Sequence, residues 1–151
     1  MLKRLLQSIA IVAVLGIRGA SAGGDDIVVI VHKDNPVSVL EHSDLRPIFQ
    51  TTKTEWPNGT KIMALNLPDE DGSRLGFDAA VLGLDPDRVA RYWVDRKIRG
   101  GNPPPKKVPS AAMVVKVVGS KAEAVGYAAT SDIDKSVKVV ARIRGGQVVK
   151  P

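Results

Sequence analysis

The sequence predicts an α/β domain in which helices flank a mixed β-sheet. Runs rich in β-branched residues, typical of buried strands, alternate with segments whose apolar residues have helical spacing. Capping residues stand at the starts of the helical segments, and glycine follows several of their ends. About 130 residues follow the N-terminal leader, enough to bury roughly two-thirds of the unfolded surface in one core.

The N-terminus has the pattern of a secretory signal peptide. A basic head at residues 1–4 precedes an apolar run at residues 5–17, and Ala-Ser-Ala at residues 20–22 is typical of a cleavage site. The alternative is a membrane anchor, but a spanning helix needs about 20 apolar residues and this run is shorter. We therefore expect cleavage before Gly23, which would leave residues 23–151 as one domain, periplasmic or secreted.

Composition excludes several classes of function. Residues 1–22 contain three basic residues and no acidic one, so cleavage lowers the net charge from +6 to +3. A mildly basic surface suits an anionic ligand. The basic residues are scattered and aromatic residues make up 4% of the chain, so we expect no nucleic acid partner. The absence of cysteine excludes disulfides and thiolate chemistry.

The first half of the predicted domain alternates strands with short helices. A β-branched run predicts a buried strand, Ser43 is a candidate helix cap, and Pro-Asn-Gly after Trp56 is typical of a turn. The predicted elements are a strand at 27–31, a helix at 43–50, a turn at 56–60, a strand at 61–65, a loop at 66–72 and a helix at 73–82.

The second half begins with a helix that Asp85 caps and Pro86 starts. Its predicted apolar stripe consists of Val89, Tyr92, Trp93 and Ile98. The predicted elements are this helix to residue 98, an extended loop at 99–105, a helix at 109–118 ended by Gly119, and strands at 124–129 and 137–143. We expect the tail after Arg144 to fray.

Four motifs then follow one another in an order that is typical of a known family. They are Asn35-Pro36-Val37 with Leu45-Arg46-Pro47-Ile48-Phe49, Trp56 with Gly59-Thr60, Gly72-Ser73-Arg74 with Phe77, and Ala124-Val125-Gly126-Tyr127. Together they resemble the phosphate-type substrate-binding proteins of ABC transporters, over residues 26–143. The third motif resembles the anion loop of that family. The resemblance implies a periplasmic-binding-protein-like domain.

The departures from the family pattern concern the ligand. Full-length members have two lobes that hold phosphate between them, whereas this chain resembles the later lobe alone. The first-lobe glycine-serine phosphate loop has no counterpart, and Asp71 stands where the family anion loop has serine. A carboxylate there repels a phosphate dianion unless it accepts a hydrogen bond from a protonated one. The resemblance therefore implies a single-lobe fold more strongly than it implies phosphate binding.

The candidate site consists of Asp71, Gly72, Ser73 and Arg74 at a predicted helix start. Free backbone N–H groups and the helix dipole favour an anion at such an end. Ser73 adds a hydroxyl, and Arg74 can pair with an oxyanion through two parallel hydrogen bonds. The simpler interpretation is that Asp71 or Ser73 caps the helix and Arg74 pairs with a neighbouring acid.

Other residues give little support to metal binding or catalysis. The acidic run at 69–71 lacks the spacing of a calcium loop, and His32 and His42 lack a metal-ligand spacing. Residues 72–76 miss the nucleophile-elbow pattern because Ser73 stands one place early. We therefore expect a non-enzyme with no catalytic residue, metal or cofactor.

Several partners are compatible with these observations. A small oxyanion such as phosphate is the expected ligand, and an ABC transporter permease or another envelope protein is an expected partner. A homodimer could supply a second lobe. The stiff, basic segment at 103–107 could dock a partner or serve as a spacer, and the aromatic residues Trp56, Tyr92 and Trp93 could line a groove or pack in the core.

Overall fold

A six-stranded mixed sheet forms the centre of the fold. This computed structural model describes residues 26–151, and the predicted signal peptide with its cleavage site lies outside them. The strands are β1 (Ile27–His32), β2 (Met63–Asn66), β3 (Lys106–Lys107), β4 (Ala124–Ala129), β5 (Val137–Arg144) and β6 (Gln147–Val149). Their order is β3-β2-β4-β1-β5-β6. β2 is parallel to β3 and β4, and the other pairs are antiparallel, which confirms the predicted mixed sheet.

Helices cover the sheet. They are α1 (His42–Phe49), α2 (Gly72–Phe77), α3 (Pro86–Ile98) and α4 (Ala111–Ser120), with a π-helical segment at Asp78–Leu82 and a 3₁₀ turn at Thr130–Asp132. Asp85 caps α3 as predicted, because its carboxylate accepts a hydrogen bond of 2.9 Å from the backbone N–H of Arg88. Among residues 26–151, no helix is long and apolar enough to cross a membrane.

The core lies on both faces of β1 and β4. Residues 28–31 of β1 are completely buried, as expected of a strand with neighbours on both sides and helices above and below. α4 packs closely against β4 at Gly126, where a Cβ would lie 2.5 Å from Cγ1 of Val114. This approach requires glycine at position 126.

An aromatic cluster ties the helices to β4. The Tyr127 ring stacks on Phe77 with centroids 3.9 Å apart, and Phe49 meets Phe77 edge to face at 4.5 Å. The buried Tyr127 hydroxyl donates to Oδ1 of Asn66 at 3.0 Å and accepts from the N–H of Leu67 at 3.3 Å. The cluster thus fixes the point where the chain leaves β2 for the loop before α2.

Several boundaries differ from the predicted ones. Glu41 rather than Ser43 is the N-cap residue of α1, and its backbone N–H donates to Oδ2 of Asp44 at 2.9 Å. The helix predicted at 73–82 has the right extent but consists of α2 followed by the π-helical segment. The prediction of a fraying tail is wrong, because Gly145 and Gly146, both with positive φ, turn the chain into β6.

The apolar stripe predicted for α3 is covered over part of its length. Val89 is buried, Tyr92 and Trp93 are half-buried, and Ile98 is 79% exposed. Trp56, by contrast, is a core residue whose indole N–H donates to the carbonyl of Glu123 at 3.0 Å. Core packing therefore describes Trp56, whereas α3 presents apolar surface to solvent.

Candidate anion-binding site

A cavity of about 460 Å³ lies between α2, α3 and the proline-rich loop before β3. Much of its wall is apolar, formed by side chains such as Leu75, Leu84, Val89, Trp93, Pro104 and Pro105. The polar part of the wall consists of Asn66, Asp69, Arg74, Asp78, Asp85 and Lys107. Of the four residues that the sequence proposes as a site, Arg74 lines this cavity.

The start of α2 is already capped from within the chain. One oxygen of the Asp71 carboxylate, Oδ1, accepts hydrogen bonds from the N–H of Ser73 at 2.8 Å and from the N–H of Arg74 at 3.2 Å. A Cβ at Gly72 would meet no other described atom within 4 Å, so this glycine is not required by close packing. The Asp71 carboxylate therefore occupies the position that an external anion would take at this helix end.

The Arg74 guanidinium is buried and held by three acceptors. Nε donates to Oδ2 of Asp78 at 2.7 Å, and Nη1 donates to the carbonyl of Leu67 at 2.8 Å and to Oδ1 of Asp69 at 3.1 Å. The Arg74 side chain is 5% exposed, as is typical of a buried arginine that is paired with acids and carbonyls. The predicted alternative, an ion pair between Arg74 and a neighbouring acid, thus exists in the structure.

Asp78 is the buried partner of this arginine, one turn further along the chain. Burial of the carboxyl raises the pKa of Asp78, and the hydrogen bond and positive charge of Arg74 oppose that shift. The direction of the shift shows that desolvation outweighs the ion pair. The Arg74–Asp78 pair therefore holds α2 to the π-helical segment at an electrostatic cost.

Asp69 bridges two cations at the mouth of the cavity. Its Oδ1 accepts from Arg74, and its Oδ2 accepts from Nζ of Lys107 at 2.8 Å. The hydrogen bond from Lys107 is the largest cause that lowers the pKa of Asp69, and the nearby charges of Lys107 and Arg74 act in the same direction. The Asp69 side chain is 64% exposed, so this carboxylate faces solvent at the cavity mouth.

The sheet brings Lys107 to this place. β3 pairs with β2 in parallel, with Lys107 opposite Asn66, and the N–H of Val108 donates to the carbonyl of Asn66 at 2.8 Å. Sequence reasoning missed Lys107 as a site residue, because nothing local marks a two-residue strand after a proline run. Asp78 was also missed, although its i, i+4 spacing from Arg74 is a signal that could have indicated the pair.

The wall also carries an unused hydrogen-bond donor. Nε1 of Trp93 is buried and has no hydrogen-bond partner within residues 26–151. Leaving such an N–H unpaired costs about 1–3 kcal/mol. Trp93 forms part of the cavity wall, so this unpaired donor belongs to a residue of the candidate site.

Residues 26–151 contain no cluster of three or more His, Asp or Glu side chains that could bind a metal ion. Nδ1 of His32 accepts from the N–H of Asp34 at 3.1 Å, a local turn contact. The candidate site is therefore the charged mouth of the cavity.

The described residues form an α/β domain whose fold is similar to part of several solved transport proteins. The chain is similar in structure to an ABC-type phosphate transport receptor from Vibrio cholerae, with a TM-score of 0.62 and 23% identity over 77% of this chain and 45% of that one. It is also similar to a phosphate ABC transporter substrate-binding protein from Clostridium perfringens with bound phosphate, with a TM-score of 0.63, 24% identity, and coverage of 77% and 44%.

PstS from Borrelia burgdorferi has the same fold, with a TM-score of 0.60 and 16% identity over 77% of this chain and 46% of that one. The first two are phosphate transport proteins by name. The chain spans less than half of the length of each of the three. No protein-family model matches the chain, and no curated protein matches its sequence. At these identities the similarity is one of fold, so the ligand has to be argued from the site.

Proposed function

We propose that this chain is an exported binding module that holds a small oxyanion, such as phosphate, without chemical conversion. The observation that carries the proposal is the position of the Asp69 carboxylate, held between Arg74 and Lys107 at the cavity mouth. Arg74 and Lys107 lie on separate elements and both donate hydrogen bonds to one carboxylate. A ligand oxyanion can accept hydrogen bonds in the same geometry. The similar structures from phosphate transport systems support the same class of ligand.

In this proposal the side chain of Arg74 binds the ligand, rather than the backbone of the helix start formed by Gly72 and Ser73. Asp71 would have to release two hydrogen bonds before an anion could reach those N–H groups. Displacing Asp69 demands less, because its side chain is 64% exposed. A ligand oxyanion would then accept from Arg74 and from Lys107.

The charges of the wall favour weak binding of an anion with low charge. Two cations, Arg74 and Lys107, face three carboxylates, those of Asp69, Asp78 and Asp85. A single lobe also cannot enclose a ligand on all sides. We therefore expect a dissociation constant near 1 mM, which corresponds to about 4 kcal/mol.

Calorimetric titration with phosphate, and with sulfate for comparison, tests the proposal. Asp69→Asn keeps the size of the side chain but removes its charge, so phosphate should bind about tenfold more tightly than to the natural chain, since a hydrogen bond to a charged group contributes about 1.5–3 kcal/mol. Lys107→Met should abolish saturable binding. Asp132→Asn and Lys116→Met, at exposed positions, are the matched controls and should change nothing.

A second candidate function is a partner-binding envelope protein that has the fold but no anion ligand. The capped start of α2 favours it, since Asp71 already accepts from both N–H groups. Under this alternative, neither the natural chain nor Asp69→Asn would give heat with phosphate or sulfate. In that event the transporter permease and other envelope proteins become the partners to test.

A further inference from the structure

The outer face of α3 carries an uncovered apolar ridge. Val94 is 60% exposed and Ile98 is 79% exposed, the highest values among the large apolar side chains of the described residues. Ala90, one turn earlier, is exposed as well. Residues four apart on a helix lie on one line, so these three side chains form a continuous ridge, called the α3 ridge below.

Grooves flank the α3 ridge on both sides. A depression of about 470 Å³ lies between the ridge and the proline loop, with Trp93 and Pro103 in its wall. Another, of about 590 Å³, includes Tyr92 and Asp95. Val94 borders both depressions. A ridge between two grooves is the shape that a second helix can pack against.

A row of charges runs beside the α3 ridge. Asp87, Arg91, Asp95 and Arg99 follow one another at intervals of four residues, and all four are exposed. Their signs alternate along the row. Within the chain, Asp95 pairs with Arg99 at 3.2 Å, a surface ion pair that a neighbouring charge can share.

We propose that the α3 ridge is the interface of a homodimer in which α3 packs antiparallel against α3 of a second copy, about a twofold axis level with Trp93. In this arrangement Asp87 faces Arg99 of the partner subunit, and Arg91 faces Asp95 of the partner subunit. Each pair occurs twice because a twofold interface uses the same surface on both copies. The exposed apolar side chains of the two ridges are then buried against each other.

The charge row specifies both the orientation and the partner. A parallel arrangement would place like charges opposite each other, and an antiparallel one shifted by a full turn would place Asp95 against Asp95 of the partner subunit. The row is therefore complementary to itself in one register, much as flanking charges select partners in coiled coils. A partner of a single charge sign would meet repulsion at every second position. This inference does not depend on the proposed oxyanion ligand.

Sedimentation velocity on the protein purified from the periplasm after expression of the full chain tests the homodimer. A single helix face is smaller than the standard interface of about 800 Å² per partner, so we expect a concentration-dependent dimer. Arg91→Asp and Asp95→Arg should each be monomeric. An equal mixture of these two variants should dimerise again, because every facing pair is then opposite in charge, and the double variant should dimerise alone. Lys116→Glu, on α4, is the control and should behave as the natural chain.

Restoration by mixing separates the interface from simple damage to the fold, since an unfolded variant could not be rescued by its counterpart. The homodimer is overturned if the natural chain remains monomeric at about 1 mM, the affinity range of weak complexes. It is equally overturned if the single charge reversals dimerise unchanged, or if the mixture stays monomeric. Val94→Ser provides a second test, and it should weaken the dimer without altering any charge.

Discussion

Asp78→Ala is the substitution whose effect follows most directly from the structure. It would leave the Arg74 guanidinium, 5% exposed, without the carboxylate that lies 2.7 Å from its Nε. Removing one partner of a buried ion pair costs about 3–5 kcal/mol. Asp69 and the Leu67 carbonyl remain as acceptors, and removal of Asp78 also relieves the desolvation that raises its pKa. We therefore expect the lower end, a loss of about 3 kcal/mol in the free energy of unfolding.

Urea unfolding followed by circular dichroism measures this loss, and calorimetry should show a melting temperature lower by roughly 10 °C for a domain of this size. The control is the double variant Arg74→Met with Asp78→Leu, which removes both charges and keeps the volume. It should recover most of the lost stability, because apolar replacements of buried pairs are often neutral or stabilising. A loss below about 1 kcal/mol for Asp78→Ala would refute the argument that this pair is a buried structural one.

Two further predictions concern packing and pH. Gly126→Ala should destabilise the domain by about 1–3 kcal/mol, because its Cβ would lie 2.5 Å from Cγ1 of Val114. Gly72→Ala, where a Cβ would meet no other described atom within 4 Å, should be nearly neutral. Urea unfolding compares the two variants, and equal effects would contradict the packing argument. The pKa of Asp69 is lowered in the folded state, so its contribution to stability is present above its unfolded pKa and lost as pH falls through the folded value. The free energy of unfolding, measured between pH 2 and 7, should therefore fall less steeply toward acid pH in Asp69→Asn than in the natural chain. An unchanged slope would contradict the ion bridge.

Elements with a strong local signal are predictable from the sequence. The β-branched run of β1 and the apolar run of β4 are typical of strands buried on both faces of a sheet. Both strands lie where the sequence places them. The start of α3 is equally well determined, because Asp85 and Pro86 stabilise that end whatever the rest of the chain does. In each of these cases one stretch of sequence contains all of the physical cause.

The candidate site is less predictable because its causes are distant along the chain. Lys107 reaches Asp69 across 38 residues, through a two-residue strand that exists because β2 offers it an edge. For Arg74 the sequence leaves two interpretations open, an anion ligand or an ion pair. The choice depends on whether Asp78 is buried beside it, and burial is a property of the whole fold rather than of the spacing.

At the start of α2, the hydrogen bonds that stabilise the helix and those that would bind an anion use the same backbone N–H groups. A helix start with free N–H groups binds anions, but it also lacks the hydrogen bonds that stabilise the helix. An aspartate at this place provides those bonds permanently, so α2 is stable without a ligand. In the proposed function, an anion is therefore held by the side chains of Arg74 and Lys107, where it competes with the tethered carboxylate of Asp69. Because the Asp69 carboxylate is part of the chain and always present, removing its charge should raise the affinity for phosphate more than any change at Gly72 or Ser73.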